Sequence, residues 1–253
     1  MTDGLDGYGQ LYAELNAAWA IAKKDIAIYY LKPNIIVSGA LFPLFMFLAF
    51  AAGNSAGPSV MIPGLIAITI LFSASSIEPV SIPLERRMKT FDRLISAPIS
   101  LHAVVLGESL SGFLYSMGIA LVPLIAGMLI FGTPIISTAP LVAGIILTSF
   151  CFATMGTLFA AYPTESPGDI MSMLNLVRLP LIFISGVFIP IESIPSIGQV
   201  AAYFSPLTYG NDLIQAAYHG HPHFNPILDI AMLCIFILLF QVCANQLYRR
   251  WNE

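Results

Sequence analysis

The sequence predicts an all-α membrane protein of six transmembrane helices, with both ends on the cytoplasmic side. Three observations carry this. Apolar types make up 57% of the 253 residues and charged types only 9%, against about 25% charged in an ordinary soluble domain. Long stretches contain no Asp, Glu, Lys or Arg. Every basic residue falls on one predicted face, as the positive-inside rule requires of the cytoplasmic side. Ten Lys and Arg and fourteen Asp and Glu, net −4, cannot clothe a globule of this size. That excludes an ordinary soluble enzyme, a disordered regulator and a nucleic-acid partner. The expected setting is the cell membrane, as a multi-pass protein in the lipid bilayer.

Residues 1–32 form the first predicted unit. Tyr8, Leu11, Leu15, Trp19, Ala22, Ile26 and Tyr29 step by three or four, the spacing of one helix face. Trp and Tyr on that face, with Lys23 and Lys24 on another, suit an amphipathic helix lying in the cytoplasmic interface. Asp3, Asp6, Glu14 and Asp25 argue against a cleavable signal peptide.

Residues 33–250 form the second unit, a single six-span domain. Pro33 to Ile77 is 45 residues without charge. A helical span needs about 20, so this run holds two, broken at Gly53-Asn54-Ser55-Ala56-Gly57-Pro58. Ser109 to Thr164, 56 uncharged residues, holds two more, broken near Gly132-Thr133-Pro134 and Pro140. The fifth span runs roughly from Ile170 to Ile189 with Arg178 inside it, and the sixth from Ile230 to Tyr248. Lys23, Lys24, Lys32, Arg86, Arg87, Lys89, Arg93, Arg178, Arg249 and Arg250 then all fall on one side. The opposite loops, 53–60, 132–139 and 191–225, hold no Lys or Arg. The uncharged stretch Ser193 to Asn211 carries Pro195, Gly198, Pro206 and Gly210. A seventh span there would carry Arg249 and Arg250 outside, so 191–225 reads as an outer or partly inserted segment.

Between spans two and three lies a charged linker, 84–97. Leu84, Met88, Phe91 and Ile95 step by four, three and four, predicting a short amphipathic helix that ends before Pro98. Glu85, Arg86, Arg87, Lys89, Asp92 and Arg93 take the rest of its surface. Such an element suits docking of a soluble partner.

The order Thr90-Phe91-Asp92-Arg93-Leu94-Ile95-Ser96-Ala97-Pro98-Ile99-Ser100 resembles the first cytoplasmic loop of type-2 ATP-binding-cassette transporter permeases. It departs at Lys89, where that family often has Gly, and at Ala97, where it often has Thr. A second stretch is similar to the same family's downstream signature: Ser185-Gly186-Val187-Phe188-Ile189-Pro190, then Ile194-Pro195, then Ser205-Pro206-Leu207-Thr208-Tyr209. Ser205 stands where Asn is more usual.

This resemblance implies that 84–97 is a coupling helix, moved by a separate cassette ATPase, and that two permease copies work together, as a homodimer or a heterodimer. Phe91 and Leu94 would then be apolar anchors, with Glu85, Arg86, Arg87, Lys89, Asp92 and Arg93 as a polar rim. The sequence contains no Gly-x-x-x-x-Gly-Lys-Ser/Thr loop to cradle phosphate. No catalytic group, metal site or cofactor is expected in this chain; ATP and Mg would bind the partner. The implied function is outward transport of an amphiphilic cargo, such as a drug, a lipid or a lipid-linked glycan.

Three ionisable residues fall in the cytoplasmic third of predicted spans: Glu78, Glu108 and Arg178. They are candidates for the cargo path, against snorkelling or a buried ion pair. Glu108 stands where the resembled family commonly has a basic residue. His219, His221 and His223 alternate on the outer side without a cysteine or acidic run to complete a metal site. An ATPase-independent secondary carrier or another multi-span membrane protein is the alternative, although the sequence shows neither the internal repeat nor the mid-span acid that a carrier would want.

Overall fold

The structure is a computed structural model and describes residues 7–30, 32–41, 43–45 and 58–252. The secondary structure among them is helical. α1 covers Gly7–Tyr29, and α2, Pro33–Ile36, runs into a π-helical turn at Val37–Leu41. Then come α3 (Pro58–Ala74), α4 (Glu78–Arg87), α5 (Thr90–Ile95), α6 (Leu101–Leu129), α7 (Thr138–Ala160) and α8 (Pro167–Ile184). A 3₁₀ turn at Ile191–Ser193 precedes α9 (Ser196–Tyr203), α10 (Pro206–His219) and α11 (Pro226–Asn252).

Five described stretches are long and apolar enough to cross a membrane: Met61–Arg87, Leu101–Leu129, Thr138–Ala160, Pro167–Ile184 and Pro226–Arg250. They correspond to predicted spans two to six. Residues 42 and 46–52 of the first predicted span, and its break at 53–57, lie outside the described residues.

α3, α6, α7, α8 and α10 enclose the main core, built on Ile66, Ile70, Leu71, Phe72, Phe152, Leu174, Ile182 and Leu207. Small and hydroxylated residues let the helices approach closely. Ser116 bonds Ser149 at 3.1 Å and Ser109 meets Thr157 at 2.9 Å, two rungs between α6 and α7. α10 lies on α7 and α3 with Leu207, Leu213 and Ile214 buried, so much of the predicted outer segment is packed into the bundle.

α3 and α4 are one long rod interrupted at Ser75–Ile77, and Pro79 explains the interruption. A proline ring has no N–H and crowds the carbonyl four residues earlier, which here is Ser75. That freed carbonyl accepts from the Arg178 guanidinium on α8.

The linker differs from the single helix expected over 84–97. α4 ends at Arg87 and α5 begins at Thr90, with Lys89 between them at φ 59°. It is the one described residue other than glycine with positive φ. A side chain in this left-handed region costs roughly 1–2 kcal/mol, which breaks the helix and turns Met88 to solvent, 58% exposed. The Gly that the resembled family often has at this position would take that conformation freely. Ser100 then starts α6, its Oγ accepting from Ala103 N–H at 3.1 Å.

Candidate functional site

The end of the bundle that carries α4 and α5 gathers most of the ionisable groups. Glu85, on the last turn of α4, points inward and is 4% exposed. Its Oε1 accepts from Lys24 Nζ at 2.6 Å and from Tyr29 Oη at 3.4 Å, both on α1. Lys24 also lies 3.0 Å from Asp25 and 3.7 Å from Glu108 of α6. Although burial works against its charge, Glu108, Asp25 and Glu85 hold the Lys24 ammonium above the usual lysine range. Burial pushes the Asp25 carboxyl up to about 6, with Lys24 pulling against it.

The neighbouring Arg86 faces the other way. Its guanidinium donates to the carbonyls of Tyr162 and, at 3.2 Å, Ala161, the end of α7. There it answers both the unpaired last carbonyls and the negative end of the helix dipole. It also lies 5.2 Å from the Phe91 ring centre and 5.9 Å from that of Tyr248.

Phe91 is 1% exposed among Ile82, Val105, Ala160, Ala161, Ala244 and Tyr248. It therefore anchors α5 to its own bundle and offers nothing to a partner; Glu85, equally buried, is not part of an outward rim. Leu94 is half-buried against the same cluster. Of the predicted contact residues, Arg87, Lys89, Asp92 and Arg93 face outward. Lys89 reaches Glu165 at 4.0 Å. A cavity of about 280 Å³ opens between α5 and the turn after α7, bounded by Arg86, Lys89, Phe91, Asp92, Pro163, Thr164 and Glu165. The 161–165 turn was not among the residues singled out from the sequence. The one signal for it was Tyr162-Pro163 closing the long uncharged run just before Glu165.

Glu78, Glu108 and Arg178 are at most 1% exposed. The structure seats them inside the helix bundle and not on a surface open to a passing molecule. Arg178 donates to Ser75 carbonyl and Oγ, and to Ser76 Oγ at 3.1 Å, with its guanidinium 5.1 Å from the Phe72 ring centre. Glu78 Oε1 accepts from Gly112 N–H at 3.1 Å. A Cβ on Gly156 would lie 2.7 Å from Glu78 Oε2 and 2.9 Å from Ser75 Cα, so glycine lets α7 lie against the α3–α4 break. At the opposite end, His223 pairs with Glu192 at 2.7 Å and packs edge-on to Phe224.

Residues 16–219 match the family model described as ABC-2 type transporter. The chain is 27% identical over 247 residues to Nodulation protein J of Rhizobium leguminosarum bv. trifolii, covering 92% of this chain and 89% of that protein. It is 27% identical over 222 residues to Nodulation protein J of Neorhizobium galegae, covering 84% and 83%. It is 22% identical over 231 residues to the inner membrane transport permease YadH of Escherichia coli K12, covering 89% of each.

Proposed function

The chain belongs to the ABC-2 type transporter family, as a multi-pass membrane subunit, and on that premise we propose that it is the permease half-site of an ATP-driven exporter. It spans the membrane six times with both ends in the cytoplasm. A separate cassette ATPase supplies the energy, and a second permease copy, most simply an identical one, completes the passage. The cargo is amphiphilic and moves outward, a reading supported by the scarcity of charge along the spans.

One observation carries this reading. The α4–α5 linker joins two long apolar helices, turns Arg87, Lys89, Asp92 and Arg93 outward beside a 280 Å³ groove, and is clamped from behind by Arg86 and Phe91. A loose loop would absorb a push from a soluble partner. This one transmits it, because Arg86 fastens α4 to the end of α7 while Phe91 fastens α5 to Tyr248 on α11. Closure of the ATPase pair would thus tilt α3–α4 and α6 together and open the permease pair outward.

Two measurements test the proposal. The detergent-solubilised protein should co-purify with a cassette ATPase whose hydrolysis rate changes on binding. In intact cells, Arg93→Cys should resist a membrane-impermeant maleimide while Ile197→Cys, at a position 87% exposed at the other end, reacts. Labelling of position 93 from outside overturns the reading.

A further inference from the structure

We propose that Lys24 is a positioning residue that makes the interfacial helix α1 and the linker one moving body. The inference rests on the permease reading for its purpose, but its geometry stands on α1, α4 and α6 alone.

Three carboxylates from three helices converge on this single ammonium: Asp25 beside it on α1, Glu85 on α4 and Glu108 on α6. Each carboxylate residue is at most 4% exposed, whereas the Lys24 side chain is 31% exposed. Buried carboxylates are costly unless paired. Lys24 is the one cation within 4.0 Å of any of them among the described residues. It therefore cannot leave Glu85 without stranding charge, and α1 and α4 are bound to move together. A charged pair at 2.6 Å is also among the stronger contacts a protein makes.

Backbone packing points the same way. A Cβ on Gly107 would lie 2.7 Å from the Ala18 carbonyl, so α1 sits directly on α6 one residue before Glu108. Tyr30 Oη donates to the Ser111 carbonyl at 2.6 Å one turn further on. Glu85 and Arg86 are consecutive, and they face α1 and α7 respectively. A push on α5 passes through Arg86 to α7 and, through Glu85 and Lys24, to α1.

The test uses the full chain in detergent and then its complex with the cassette ATPase. Hydrogen exchange should rise about tenfold in Lys24→Met at both 25–29 and 85–94, because the shared bond is lost. Lys24→Arg should keep both segments protected. The charge swap Lys24→Glu with Glu85→Lys should restore them, and Glu85→Gln gives a second single variant should Lys24→Met fail to fold. In the complex, Lys24→Met should still bind the ATPase but lose the permease-dependent change in hydrolysis rate, which Lys24→Arg retains. A merely structural role would lower assembly and leave the rate per assembled complex intact. Exchange that rises in α1 alone, or a wild-type rate in assembled Lys24→Met, overturns the proposal. If the wild-type chain binds no ATPase, the permease reading falls, and the exchange result still decides the role of Lys24.

Discussion

The guanidinium of Arg178 takes the carbonyl of Ser75, the group that Pro79 leaves without a helical partner. A basic residue that reads in the sequence as a breach of the fifth span is thus a repair to the second. Irregular backbone at membrane depth persists only where protein groups satisfy it, and here one side chain from α8 does so.

Arg178→Met should therefore lower stability by about 1–3 kcal/mol, the cost of an orphaned buried carbonyl and its hydroxyl neighbours. Arg178→Lys should recover part of this, since an ammonium lacks the planar fork that reaches Ser75 and Ser76 together. Thermal melting of the purified protein in detergent reads both; an unchanged Arg178→Met melt contradicts the assignment.

Gly156→Ala should also destabilise, by about 1–3 kcal/mol, because the new methyl meets the Ser75 backbone and the Glu78 carboxylate. Gly118→Ala is the control. Nothing lies within 4 Å of its Cβ position, so replacing a mid-helix glycine there should raise stability by about 0.5–1 kcal/mol. Equal melts for the two variants would show that the break does not pack as described.

Asp25 gives a pH dependence whose sign is opposite to that of most native carboxylates. Its folded pKa of about 6 lies above the ordinary value of 3.8, so between these values the folded chain holds the proton more tightly than the unfolded chain. Stability contributed by this group rises as the pH falls through 6 and is lost above it. Melts at pH 7.5 and pH 5 should show a stabilising shift on acidification that Asp25→Asn lacks. Identical shifts in both proteins would exclude this origin.

Lys89→Gly should raise stability by about 1 kcal/mol, because glycine relieves the left-handed strain at φ 59°. The exposed 4.0 Å contact to Glu165 that disappears contributes little. A Lys89→Ala melt equal to that of Lys89→Gly would show that φ at this position costs nothing.

Charge placement made the long helices legible, because a charge in hydrocarbon is expensive and leaves a trace in any single sequence. The spans from Met61 onward appear close to where uncharged runs place them. The spacing of Leu84, Met88, Phe91 and Ile95 implied one helix face, yet Met88 lies 58% exposed while Phe91 is buried, because one residue at positive φ resets the phase and no periodicity records that. The inward turn of Glu85 was likewise hidden, since its partner Lys24 is 61 residues away. The α1 stripe divided for a related reason: Ala22 and Tyr29 pack against the bundle, while Leu11, Leu15 and Trp19 stay exposed.

On the proposed reading, an ATPase grips this chain at the outward face of the linker. Phe91→Ala cannot test it, because that side chain supports its own bundle. Arg87→Glu combined with Arg93→Glu can, since both positions are exposed. Retention of the cassette ATPase on the immobilised variant should fall at least about tenfold, the scale of one lost charge-assisted contact, while its melting temperature stays at the wild-type value. A variant that holds the ATPase as tightly as wild type, with an unchanged hydrolysis rate, would show that the linker's outward face is not the docking surface.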